Sequence, residues 1–136
     1  MDRIERFEDI EAWQQARKLV QMVNKATARG AFSKNFGFLN QMECAPVSIM
    51  ANIAEGFDGG SNREFLRFLG YALRSTTEVQ SHLYVALDQS YIDQRQFRAL
   101  YDLSITVKSL ISGFMRYLRS SSKVSNLAPR TLPLEL

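Results

Sequence analysis

Gln41 to Leu69 reads QMECAPVSIMANIAEGFDGGSNREFLRFL, and this stretch decides the fold. Apolar residues recur every three or four places through Met42, Ala45, Ile49 and Ile53, the spacing of one buried helical face. Gly56 is placed to end that helix, since glycine takes positive φ freely. Asp58 to Ser61 then reads as a loop. Ser61 or Asn62 can cap a second helix, with Glu64 in its first turn, where the helix dipole favours a carboxylate. Phe65, Phe68 and Leu69 begin the apolar face of that helix.

Working outward, the same periodicity predicts four helices. The first covers about residues 8–27, with Trp13, Ala16, Val20, Val23 and Thr27 as its core stripe. Gly30 to Asn35 forms a loop, and the second helix covers about 36–55, with Phe38 joining its apolar face. The third runs to about residue 89 through Ala72, Thr76, Val79, Leu83, Ala86 and Leu87; at about 28 residues it spans roughly 40 Å. Ser90 to Asp93 is a short turn in which Asp93 caps the fourth helix, whose core positions are Phe97, Leu100, Val107, Ile111, Phe114, Met115 and Leu118. So short a turn makes helices 3 and 4 antiparallel neighbours. The expected architecture is all-α: an antiparallel up-down four-helix bundle over residues 1–119, followed by a mobile tail over 120–136 with two prolines and no period. Pro46 conflicts locally, because it lacks an N–H and crowds the carbonyl of Met42; a bend is expected there rather than a restart.

Length and charge narrow the function classes. A chain of 136 residues is one domain. It has no 18-residue apolar run to span a membrane. Its opening, MDRIERFEDIEAW, is too charged for a signal peptide. A single cysteine, Cys44, cannot form an internal disulfide, so a cytoplasmic location is expected. The net charge is +3 and the isoelectric point near 9.2, which is compatible with nucleic acid.

Chemistry-bearing residues are sparse. A di-iron bundle needs carboxylates from four helices and two Glu-x-x-His pairs; this chain has one histidine, His82, and Glu78 lies four residues before it, on a flank shared with Tyr71 and Ser75. A local i,i+4 pair is the simpler reading. Cys44 sits on a helix without a basic cluster and reads as an inert core thiol. Asp58-Gly59-Gly60-Ser61 lacks the lysine and the preceding strand of a phosphate loop. No catalytic residue, metal ligand or cofactor is assigned, and an enzyme is not expected.

Two patterns remain. Gln41, Ser48, Asn52 and Glu55, spaced 7, 4 and 3, form a polar stripe beside the apolar face of helix 2. Such border groups must find partners, which suits a neighbouring helix or subunit. Basic residues form the second pattern. Lys18, Lys25 and Arg29 share one face of helix 1, and Arg63, Arg67 and Arg74 one face of helix 3. Arg98, Lys108, Arg116 and Arg119 mark the outer side of helix 4, near Lys123. Acids crowd the N-terminus at Asp2, Glu5, Glu8, Asp9 and Glu11. Solvated helix surfaces look like this by default; so do surfaces that release counterions from phosphates. Helix-turn-helix, zinc-finger and RNA-recognition signatures are absent, so any binding is driven by backbone and shape.

Ser48, Ile49, Asn52, Ile53, Ala54, Glu55 and Gly56 make the string SIxxNIAEG. With Gln41, Phe65, Phe68, Leu69, Ala72, Ser75 and Glu78, and with the opening Phe7-Glu8-Asp9-Ile10 and Trp13-Gln14, the chain resembles the bacterial four-helix-bundle proteins of 23S rRNA intervening sequences. Their relatives include accessory proteins of diversity-generating retroelements. The resemblance runs from about residue 7 to 119; Pro46, Arg74 and the tail depart from it. It implies a homopentameric ring and, by way of the retroelement relatives, a basic surface for RNA or DNA and a reverse transcriptase as partner. The alternative is a protein-interaction scaffold whose charges only solubilise it.

Overall fold

The computed structural model describes residues 3–121 and 132–133. Four helices make the body: α1 (Glu11–Thr27), α2 (Phe36–Asp58), α3 (Asn62–Asp88) and α4 (Gln94–Ser121). Each packs on the next, and α4 closes back on α1, so α1 and α3 lie across the bundle from each other. The core is continuous; Leu19, Ile49, Ile53, Leu69, Leu83 and Ile111 are fully buried within it. Every core position named above for helix 4 is buried. In α1 the buried stripe is Ala12, Ala16, Leu19, Val23 and Thr27, with Trp13 and Val20 only half-buried.

The start of α1 differs from expectation. Residues Phe7–Asp9 form a 3-10 turn instead of a first α-turn. The Asp9 carboxylate folds back and accepts from the backbone N–H groups of Glu5 (3.1 Å) and Arg6 (3.4 Å). Ile10 then takes extended backbone angles and the helix begins at Glu11. Phe7 lands edge-on against Trp13 at 5.2 Å, and Ile10 is fully buried.

Gly56 does not end α2. The helix runs on to Asp58, passing through Pro46 as one element without restarting. Gly60, at φ +86°, takes the left-handed position instead, and the Ser61 hydroxyl accepts from Glu64 N–H to cap α3. Gly56 is buried because α3 crosses it closely. A Cβ there would lie 2.8 Å from Phe68 Cβ and 2.9 Å from Phe65 Cδ1.

α3 ends in a Schellman motif, with Tyr91 N–H donating to the Ala86 carbonyl and Ser90 N–H to that of Leu87. Ser90 holds the left-handed position at φ 60°, where a non-glycine residue costs on the order of 1–2 kcal/mol. Asp93 caps α4 reciprocally: its carboxylate accepts from Gln96 N–H (2.8 Å), and the Gln96 side chain accepts from Asp93 N–H (3.0 Å).

α4 continues to Ser121, two residues past the expected end of the bundle, and the short strand β2 (Leu132–Pro133) pairs antiparallel with β1 (Arg3–Ile4). The rest of 122–136 lies outside the described residues.

The crossing at Gly56 yields a prediction. Gly56→Ala should lower stability by about 1–3 kcal/mol through overpacking, read from the urea midpoint. An unchanged midpoint would mean that α2 and α3 can separate without cost.

Candidate nucleic-acid interface

The polar stripe of α2 divides in two. Ser48 and Asn52 sit in the seam with α3: Ser48 Oγ lies 3.0 Å from Ser75 Oγ. Asn52 Nδ2 donates to the Ser48 carbonyl (2.8 Å) and to its Oγ (3.1 Å). Gln41 and Glu55, at the outer edge of the same stripe, are exposed. The SIxxNIAEG string is therefore largely the α2–α3 seam: Ile49 and Ile53 fill the core, Ser48 and Asn52 the polar join, and Gly56 the close crossing.

Three chemical expectations are corrected. Cys44 is exposed rather than buried, because it faces outward between Met42 and Ala45; its Sγ contacts Asn40 Oδ1 at 3.6 Å. Glu78 and His82 do not pair. The imidazole turns toward α2 and meets Phe38 edge-on at 5.8 Å, with Nδ1 buried and unbonded among the described residues, while Glu78 stays exposed. Lys108 belongs to the α3–α4 seam, where Nζ donates to Thr77 Oγ1 (3.1 Å) and Gln80 Oε1 (3.4 Å). Sequence reasoning passed over this seam. Gln80 Nε2 donates to Ser104 Oγ (3.1 Å), which in turn donates to the Tyr101 carbonyl. The missed signal was Gln80 and Ser104 at core spacing, between Thr76 and Leu83 and between Leu100 and Val107. Among the described residues no three His, Cys, Asp or Glu side chains gather to hold a metal, and no helix is long and apolar enough to cross a membrane.

The basic residues are dispersed. Phe65 meets Phe114 at 5.1 Å, so the start of α3 lies beside the end of α4. Arg63 and Arg67 thus share one end of the bundle with Arg116 and Arg119. At the other end, Lys25 and Arg29 face the first turns of α4, which carry Arg98, across an open groove. Lys18 and Arg74 lie midway along α1 and α3, on opposite sides. Arg67 is engaged: Glu64 accepts at 2.9 Å, which raises the guanidinium pKa further, and the group lies over Phe68 and Tyr71. Arg98 pairs loosely with Asp102 at 3.8 Å. Lys18, Lys25, Arg29, Arg63, Arg74 and Arg116 are exposed, with no carboxylate at ion-pair distance among the described residues. A second aromatic patch packs Tyr84 and Tyr101 around Phe97; the Tyr101 phenol is pushed up by its hydrogen bond with Tyr84 and then by desolvation.

The groove holds about 880 Å³. Its floor is Met22, Ala26, Ala99 and Leu100, its rim Lys25 and Arg29, and its far wall Ser90, Tyr91 and Gln96. Among the described residues no carboxylate lines it. Tyr91 is held in place by stacking on Phe32 at 5.1 Å and by Asn35 Nδ2, which donates to its hydroxyl at 2.9 Å.

The Ser48–Ser75 join is open to a double-mutant cycle. Ser75→Ala should cost about 0.5–1.5 kcal/mol in thermal unfolding. Adding Ser48→Ala should cost less than the sum of the two single changes, whereas strict additivity would show that the hydroxyls do not interact.

The model of the family described as 23S rRNA-intervening sequence protein matches residues 8–113. A crystal structure at 1.70 Å resolution, of a protein of unknown function from the S23 ribosomal protein family of Bacteroides thetaiotaomicron VPI-5482, is similar with a TM-score of 0.70 at 23% identity. The likeness covers 77% of this chain and 95% of that one, and it shows the fold. No curated protein matches the chain. The chain belongs to the 23S rRNA-intervening sequence protein family.

Proposed function

We propose that this family member is a non-enzymatic, self-assembling protein that binds RNA or DNA through its outer basic residues. The observation that carries the reading is the set of six exposed cations that have no carboxylate partner among the described residues. Exposed cations gain little from pairing within the protein, and they gain counterion release from a phosphate backbone. Nothing in their placement reads base edges, so recognition is of backbone and shape.

Charge segregation supports the assembly half. α2 carries no Lys or Arg over its whole length. Its outer side presents Asn40, Cys44, Val47 and Ala51, and Val47 is 49% exposed. A face without cations is suited to meet another copy, leaving α1, α3 and α4 for phosphates. In this reading the four helices alternate up and down, as the Phe65–Phe114 contact supports. The copies close into a ring, five by family resemblance, and an accessory role beside a reverse transcriptase is carried by the same resemblance. Repetition of a +3 chain around a ring raises avidity without new contacts.

Fluorescence anisotropy with labelled RNA, DNA and an RNA–DNA hybrid tests the binding half. The triple change Arg63→Glu, Arg74→Glu and Arg116→Glu should weaken all three by at least about tenfold near 0.1 M salt. It should flatten the slope of log affinity against log salt by about 3. Unchanged affinity would remove these residues from the interface, and no binding at low salt would leave a protein-docking scaffold as the better account. Light scattering tests the assembly half: Val47→Glu should yield a smaller species than the native chain. A native monomer, or an unchanged mass in the variant, would remove α2 from any subunit contact.

A further inference from the structure

We propose that the groove between the end of α1 and the start of α4 is a binding site for a phosphorylated nucleoside. The proposal deepens the nucleic-acid reading and rests on it for choosing a nucleotide over other anions.

Lys25, in the last turn of α1, and Arg29, in extended backbone just after the helix, are both exposed on the rim, and among the described residues no carboxylate lines the groove to neutralise them. Both side chains line the same groove, and each is long enough to reach a ligand held in it. An ammonium and a guanidinium converging there match one phosphate group, whose oxygens accept several charge-assisted hydrogen bonds.

The floor suits a flat ring. Ala26 and Ala99 are small, so a planar base can approach the backbone between Met22 and Leu100. The far wall offers polar groups to a base edge or a ribose. Gln96 uses only its Oε1 in capping α4, which leaves its amide N–H groups to donate. Tyr91 accepts from Asn35 through its hydroxyl oxygen and keeps its own proton for a ligand. That wall is rigid, since Tyr91 stacks on Phe32 and Ser90 is locked in the Schellman turn. A rigid, partly apolar concavity of several hundred Å³ with few convergent polar groups is the usual form of a small-ligand site. A fatty chain would leave the polar wall unsatisfied, and a bare anion would leave the apolar floor unused.

Two sources share this chemistry: a free nucleotide, and the 5′-phosphorylated end of a strand. The probes are adenosine 5′-monophosphate, adenosine, inorganic phosphate, and a ten-nucleotide RNA with either a 5′-phosphate or a 5′-hydroxyl. Binding is read by calorimetry for the small probes and by anisotropy for the RNA. The variants are Lys25→Gln with Arg29→Gln, and Ala99→Trp, which fills the groove from an exposed position.

The monophosphate should bind the native chain, and adenosine and phosphate at least tenfold more weakly. Both groove variants should lose monophosphate binding at least tenfold, and the Arg63/Arg74/Arg116 triple variant should retain it. A 5′-phosphate that tightens RNA binding, with the gain lost in Ala99→Trp, identifies the strand end; no gain identifies the free nucleotide. The absence of monophosphate binding, together with indifference to the 5′ end, overturns the proposal; salt-sensitive RNA binding in that case leaves the broader reading standing. Monophosphate binding without any RNA binding upholds the groove and removes the broader reading. Phosphate binding as tightly as the monophosphate overturns the nucleotide assignment.

Discussion

At Gly56 the side of α2 comes so close to α3 that a single methyl group would meet Phe68 at 2.8 Å and Phe65 at 2.9 Å. This approach sets the separation of the two helices, and much else follows from it. Phe65 is fully buried there and meets Phe114 of the neighbouring helix, bringing the end of α4 against the start of α3. Phe57 packs edge-on to Phe65 from the α2 side. Close crossing increases dispersion contact along the seam, at the expense of any tolerance for a larger residue.

Apolar contact alone lets helices slide, and polar joins restrict that. Each consecutive pair of helices has one. Thr27 donates to Glu43 between α1 and α2, Ser48 meets Ser75 between α2 and α3, and Gln80 donates to Ser104 between α3 and α4. A register slip would strand the buried members of these joins, Thr27, Gln80 and Ser104, where an unmet donor or acceptor costs about 1–3 kcal/mol. Lys108 adds to the third join by curling over Thr77 and Gln80, so a half-exposed charged residue also contributes to register.

The surface charge is distributed by helix. α2 is free of cations, whereas α1, α3 and α4 carry them at both ends of the bundle and on opposite sides. A ligand spanning all the cations of one chain would have to wrap around it. Contact from several copies in a ring is the simpler geometry for a long polymer, and the groove at the α1–α4 end is the more compact site for a single nucleotide.

By itself the amino-acid order determined the four helices and most of their buried faces, because a 3.6-residue apolar period leaves one stable solution. It also determined the caps at Ser61 and Asp93, whose side chains act within three residues. Tertiary structure decided what depends on a neighbour. Gly56 reads as a helix stop in isolation and proves to be a contact point, since only the position of α3 makes a Cβ impossible. His82 turned from Glu78 toward Phe38, and Lys108 left the basic surface for a seam, because their partners lie on other helices. Cys44 came out exposed because α2 buries only the side that faces α1 and α3. The groove joins the end of α1 to residues about 70 places later in the chain, a proximity made by the packing of α1 on α4 and carried by no local pattern.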